Sequence, residues 1–174
     1  DLVTEMAEAK SRGIHIITQD EDGYPEALRH MYDPPLALYV WGQLTAADQH
    51  AIAVVGSRRT THYGQSTALA FSRDLARAGL TIISGLARGI DTAAHEGALA
   101  AKGRTIGVLG SGLMQVYPPE NLALAEKIAD GHGAIISEFP LQTSPDRKTF
   151  PQRNRIVAHW SRALLVVECP SRSG

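Results

Sequence analysis

Cysteine occurs once in the 174-residue chain, at Cys169. An internal disulfide is thereby excluded, a cysteine-based metal cluster is not possible, and a reducing compartment is expected. No apolar run reaches the roughly 20 residues that a membrane helix needs, and no secretory leader is visible, so a cytoplasmic protein with no membrane partner is expected. No Gly-x-x-x-x-Gly-Lys-Ser/Thr segment is present, which leaves a Walker-type ATP site unsupported. Gly110-Ser111-Gly112 begins a dinucleotide fingerprint, but Gln115 stands at the place of its third glycine. Glu138 follows the wrong strand to serve as the ribose acid, so no nicotinamide cofactor is expected. The seven histidines show no His-Glu-x-x-His spacing, and no metal or other cofactor is expected. Trp41 and Trp160 read as core or interface residues.

What is present is an ordinary globular composition, 44% hydrophobic and 20% charged, of a size for one main domain. The formal net charge is only -1, yet it is unevenly spread. Residues 1–50 carry three Lys/Arg against nine Asp/Glu, a net of -6, whereas residues 145–174 carry six against two, a net of +4. An anionic ligand would be drawn to that local basic surface.

Apolar strand-like runs alternate with helical patterns from residue 49 onward. Strands are expected at Ala51 to Val55, Leu80 to Ser84, Thr105 to Leu109, Ala134 to Ser137 and Ala163 to Val167. Helices are expected at His62 to Ala78, Thr92 to Ala101, Pro119 to Asp130 and 151–160. The first helix among these places Ala68, Leu69, Phe71, Leu75 and Ala76 near one face. Fully apolar strands in a βαβα rhythm predict a mostly parallel sheet covered on both faces. Residues 1–48 read as an N-terminal extension packed on that main domain, residues 49–174. It carries a helix at 3–12, a strand at Ile14 to Ile17, a helix from Tyr24 to His30 and an extended segment from Leu36 to Trp41.

Ligands of such sheets bind beyond the carboxyl ends of the strands. Three loops stand there. Gly56-Ser57-Arg58-Arg59 offers a close backbone turn, a hydroxyl, a helix start with free N–H groups and a guanidinium fork, a set suited to phosphate. Ser84-Gly85-Leu86-Ala87-Arg88-Gly89-Ile90-Asp91 leads to His95; Asp91 is expected to cap the next helix and His95 to hydrogen-bond near the pocket floor. A hydrolytic reading would pair Asp91 and His95 as orienting acid and base. Gly110-Ser111-Gly112 leads to Tyr117-Pro118-Pro119-Glu120-Asn121.

The most informative segment is Phe150-Pro151-Gln152-Arg153-Asn154-Arg155, preceded by Arg147 and Lys148. It joins a ring, a rigid turn, an amide and two fixed cations, a set suited to a polyanion with exposed bases. Phe150 could stack on a base, and Arg153 and Arg155 could hold phosphates. Asn154 could tie the loop to the sheet or read a base edge. Arginines two apart do not share one helix face, so one of them could instead brace Glu138 or Glu168.

These blocks, in this order, together with Ser137-Glu138-Phe139-Pro140 and Ile156-Val157-Ala158, resemble the DprA (Smf) family of DNA-processing proteins, from about Tyr24 to Gly174. The resemblance implies an α/β, extended Rossmann-like three-layer fold, here truncated on its C-terminal side. It implies a non-enzymatic protein that binds and protects single-stranded DNA during natural transformation and loads a RecA-type recombinase, as a homodimer when full length. It implies further that Arg58 and Phe150 line the DNA pocket, with Arg147 or Lys148 as the neighbouring cation. The resulting set for DNA or phosphate is Gly56, Ser57, Arg58, Gly85, Arg88, Arg147, Lys148, Phe150, Arg153, Asn154 and Arg155. Asp91, His95, Gly110, Gly112 and Glu138 would shape the pocket. The chain departs from the family at Met114, where aspartate is frequent, and at Arg172.

Two other readings stand beside this one. The first is a phosphoribohydrolase acting on nucleoside monophosphates, with Asp91 or Glu138 as its acid, although the Pro-Gly-Gly-x-Gly-Thr motif of that class is missing. The second is a non-catalytic interaction module with a relic pocket, which a pocket closed by its own side chains would favour.

Overall fold

The computed structural model describes residues 1–171; Arg172 lies outside them. Its centre is a seven-stranded sheet in the order β1-β2-β6-β5-β4-β3-β7. β3 (Ala51–Val55), β4 (Thr81–Ser84), β5 (Thr105–Val108), β6 (Gly133–Ser137) and β7 (Ala163–Val166) run parallel. β2 (Ala37–Gly42) pairs antiparallel with β6, and β1 (Ile14–Thr18) antiparallel with β2. The first 48 residues thus supply two strands of the same sheet.

Helices cover both faces, which is why the inner strands are apolar on both sides. α1 (Leu2–Ser11), α3 (His62–Arg77), α4 (Ile90–Ala100) and α5 (Leu122–Ala129) lie on one face. α2 (Glu26–Arg29) and α6 (Thr149–Trp160) lie on the other. Neighbouring residues divide between the two layers: Ile82 and Ile135 meet the α3–α5 side, whereas Ile83 and Ile136 meet α2 and α6. The three-layer, mostly parallel arrangement expected from sequence is the one found.

Several local expectations are corrected. The helix from Tyr24 is a single turn, because Pro25 sits in extended conformation as its N-cap and the chain leaves at His30. The segment from Pro119 splits into a 3-10 turn, Pro119–Asn121, and α5. Phe71 is exposed rather than on the packed face of α3. The buried stripe is Gly64, Ala68, Ser72 and Ala76 at i+4 spacing, with small side chains that let α3 settle closely on α4.

The five parallel strands end at one edge of the sheet. β3, β4 and β5 release the three glycine-bearing loops there, and α6 starts over the same edge after the connection from β6. Chain order runs from β3 to β6 in one direction and then returns to the far side of β3 as β7. That reversal creates a crevice at the carboxyl ends of the strands.

Candidate nucleic-acid interface

The first turn of α6 lays Phe150 against the β5 loop. A Cβ added at Gly110 would stand 2.8 Å from the Phe150 ring, so glycine is what allows the contact. The Arg58 guanidinium lies over the same ring, 4.8 Å from its centroid. Tyr117 continues the aromatic surface, its ring 5.9 Å from that of Phe150 at 44°. The Arg88 guanidinium in turn lies 5.6 Å from the Tyr117 centroid. Two arginines and two rings from three separate loops and α6 therefore form one cationic, aromatic cradle, which Gly85, Pro118 and Arg153 complete. The enclosed space is about 10 Å³, room for little more than a water, because Arg58 occupies the space over Phe150.

Arg153 is the floor of this cradle, not one of its free cations. It is 3% exposed, and its Nη1 donates to the carbonyls of Gly85 and Val108. A Cβ at Gly85 would meet the guanidinium at 2.6 Å, so the β4 loop needs its glycine to accept this brace. Asn154 accepts from Arg153 Nε at 3.0 Å, so its carbonyl orients the brace while the residue itself stays exposed. Burial lowers the Arg153 pKa to about 10, partly offset by the Asp91 carboxylate, and Arg58 lowers it further. The side chain remains a cation at neutral pH.

Asp91 does not cap α4. Its carboxylate accepts from Gly85 N at 3.0 Å and Ala87 N at 3.3 Å, so it fixes the loop before the helix. Burial raises its pKa, against the opposing pull of Arg153 and of these N–H groups. Leu86 is thereby held at φ +56°, a strained setting for a bulky residue, with Asn121 Nδ2 donating to its carbonyl at 2.8 Å.

His95 is fully buried and does not pair with Asp91. Its Nδ1 lies 2.7 Å from Thr105 Oγ1, whose single proton is given to the Ile82 carbonyl at 2.8 Å. Nδ1 must therefore carry a proton and donate to Thr105, leaving Nε2 bare and without a partner among the described residues. Burial, aided by the Arg153 charge, drops the pKa to about 3. The acid–base pair of the hydrolytic reading is not formed.

Arg155 faces away from the cradle. Its Nη2 donates to Glu138 at 2.6 Å, and its Nε lies 3.7 Å from Asp33. It is thus a brace toward the α2 side, and Glu138 is its partner rather than an acid in the pocket. The helix geometry that turns Arg153 inward turns a residue two positions on toward another neighbour.

Ser57 and the start of α3 also differ from expectation. The Ser57 hydroxyl closes on its own turn, accepting from Arg59 N at 3.1 Å and donating to Arg59 O at 3.0 Å. The N-terminus of α3 is occupied by the chain's own carboxylate. Glu168 accepts from Thr60 Oγ1, Thr61 Oγ1 and Thr61 N at 2.9 to 3.2 Å, while its carbonyl accepts from Ser57 N at 2.7 Å. These donors hold the Glu168 pKa below the usual carboxylate range. The phosphate seat expected at that helix start is filled, and Glu168 instead fastens the Gly56–Arg58 turn to the end of the sheet.

Arg147 and Lys148 are exposed on the approach to Phe150, with no side-chain hydrogen bond among the described residues. Arg88 is exposed but engaged, its Nε donating to Glu120 at 2.5 Å. Gly56 precedes the Arg58 turn directly, and Gly112 fastens the β5 loop by donating to Thr143 O at 2.8 Å. The sequence reading placed Tyr117 in a strand-end loop without giving it a role, and offered Glu168 only as a brace for an arginine. An aromatic ring before Pro118-Pro119 was the available signal for Tyr117; the role of Glu168 depends on a contact with residues more than 100 positions away.

The fold and this crevice define a class: a three-layer α/β domain with a cationic, aromatic site at the carboxyl ends of its parallel strands. A family model described as DNA recombination-mediator protein A matches residues 15–174. Over 160 residues the chain is 45% identical to Protein Smf of Escherichia coli, covering 92% of this chain and 43% of that protein. Over 170 residues it is 39% identical to the DNA processing protein DprA of Bacillus subtilis, covering 97% and 57% respectively. The crystal structure of DprA from Streptococcus pneumoniae superposes with a TM-score of 0.86 at 36% identity, over 96% of this chain and 59% of that one. A structure of DprA from Helicobacter pylori, described as revealing that protein's single-stranded DNA binding mode, superposes at 0.81 with 31% identity, over 91% and 72%. The chain belongs to the DprA (Smf) family of DNA recombination-mediator proteins. It spans about half the length of the curated relatives it matches. No helix among the described residues is long and apolar enough to cross a membrane.

Proposed function

We propose that this chain binds single-stranded DNA in the cradle between the Gly56–Arg58 turn and the start of α6. Arg58 takes phosphate oxygens, Phe150 takes the face of an unstacked base, and Arg147 and Lys148 attract the strand as it enters. The observation that carries this reading is the seating of the Arg58 guanidinium 4.8 Å from the Phe150 centroid, with both side chains at the surface edge of the crevice. A surface cation and a base-sized aromatic face are the two elements single-strand binding requires. The likeness to the Helicobacter pylori protein supports the choice of ligand. Duplex DNA suits the site poorly because its bases are hidden in the stack.

Protection of strands taken up by the cell, loading of a RecA-type recombinase and pairing into a homodimer are proposed for the full-length protein on the strength of family membership. The cradle is closed by its own arginine, a feature that the relic-pocket reading would claim. The closure is shallow. An exposed cation–π contact contributes about 0.5–1 kcal/mol, whereas a base stacked on an aromatic ring contributes about 1–3 kcal/mol. A strand can therefore displace Arg58 from the ring and use it on phosphate.

Fluorescence anisotropy with labelled single-stranded and duplex oligonucleotides across a salt series tests the proposal. With about three phosphate contacts the expected slope of log affinity against log salt is about -2, or roughly 20-fold between about 50 and 200 mM. Equal affinity for duplex, or a flat salt profile, would refute it.

A further inference from the structure

A second, larger groove lies on the other side of Arg88. It has a volume of about 420 Å³ and runs between the N-terminal halves of α3 and α4. We propose that it receives the sugar and base of a nucleotide next to the one held in the cradle, so that the strand crosses Arg88 between two subsites. This inference rests on the single-strand reading given above and extends it.

Three observations carry it. The groove and the cradle are continuous, because Arg88 lines both. The phosphate joining the two nucleotides would thus meet a guanidinium already at the shared rim, where it now rests on Glu120 at 2.5 Å and near the Tyr117 ring. The size is right: the cradle encloses about 10 Å³, whereas 420 Å³ lies within the range of small-ligand sites. The chemistry is that of a base and sugar rather than of phosphate. Leu69 and Ala93 supply apolar surface for a flat ring, and Gln65 and Ser66 on α3 supply uncharged hydrogen-bonding groups. Neither of those two side chains is engaged in a hydrogen bond among the described residues, whereas Thr92 on the opposite wall is fixed by Ala87 O and Asn121. Glu96 and Glu120 add negative charge on the α4 side. Glu120 is offset by its pairing with Arg88, so the Glu96 carboxylate is what disfavours phosphate in the groove interior, and Arg88, on exchanging Glu120 for phosphate, is its place.

Ser66→Trp fills the groove from α3, and Glu96→Trp fills it from α4. Both positions are exposed, so either substitution is compatible with the fold. Neither residue lines the cradle. Each variant, with Tyr63→Trp on α3 outside both sites as a control, is measured with a thymidine oligonucleotide of about 16 nucleotides by anisotropy. The expected result is at least a roughly 5-fold loss for each groove-filling variant, the loss of one stacked or seated base, with the control unchanged. Normal oligonucleotide affinity in both filled variants, with affinity lost in Arg58→Ala, overturns the groove while leaving the cradle standing. An equal loss in the Tyr63→Trp control also overturns it, since the effect would then not depend on filling the groove. Normal binding in Arg58→Ala and Phe150→Ala as well removes the cradle and the groove together.

Discussion

Removing the Arg58 guanidinium separates the two jobs assigned to the cradle. In the free protein Arg58 rests on Phe150, a contact worth about 0.5–1 kcal/mol at an exposed site. In the proposed complex it would instead make charge-assisted hydrogen bonds to phosphate, each worth about 1.5–3 kcal/mol net. Breaking the first to make the second leaves about 1–2 kcal/mol, so Arg58→Ala is expected to weaken single-strand binding about 5- to 30-fold. The charge effect has its own signature. Loss of one phosphate contact should reduce the magnitude of the salt slope by about 0.7. Arg58→Lys should keep that slope while losing the planar fork, and so lose affinity without losing salt dependence. Anisotropy at three salt concentrations, on variants whose far-ultraviolet dichroism and melting match the unaltered chain, reads both quantities. Unchanged affinity together with an unchanged slope in Arg58→Ala would refute the assignment.

Arg153→Met should act on stability instead: it strands two buried carbonyls and Asp91, at a cost of about 3–5 kcal/mol in urea unfolding, and an Arg153 variant of normal stability would return this residue to the list of ligand-binding cations. Because the His95 pKa lies below that of free imidazole, its contribution is present above pH 6.5 and is lost as pH falls toward about 3. His95→Gln should therefore flatten the acid side of the stability profile by up to about 1.4 kcal/mol per pH unit within that window; identical profiles would contradict the buried neutral tautomer. Glu168→Ala should weaken strand binding less than Arg58→Ala and leave the salt slope unchanged, since Glu168 fastens the loop and carries no phosphate; a slope change as large as that of Arg58→Ala would contradict this role.

The sheet was legible because its inner strands, such as Ile82-Ile83 and Ile135-Ile136, are buried on both faces and read as unbroken apolar runs. The loops were legible because glycines mark the close approaches of Gly85 to Arg153 and Gly110 to Phe150. What sequence could not supply was partnership across distance. Arg153 and Arg155 are chemically identical, and only the packed sheet edge shows that one is spent on carbonyls and the other on Glu138. Phe71 was misplaced because an apolar residue at the margin of a helical face can point either way, and the Gly64–Ala68–Ser72–Ala76 stripe left no space for a ring. The start of α3 looked like an open anion site until the fold brought Glu168 to it. The antiparallel pairing of β2 with β6, with β1 added outside β2, likewise joins residues about 100 positions apart that local pattern does not connect.

The most direct test of the cradle is photo-crosslinking of a single strand carrying 5-iodouracil, followed by peptide mapping of the full chain. Crosslinks should fall on Phe150 and Tyr117, and should disappear in Phe150→Ala at the first of these positions. Crosslinks confined to the opposite edge of the sheet, or to α1 and β1, would contradict the placement of the strand.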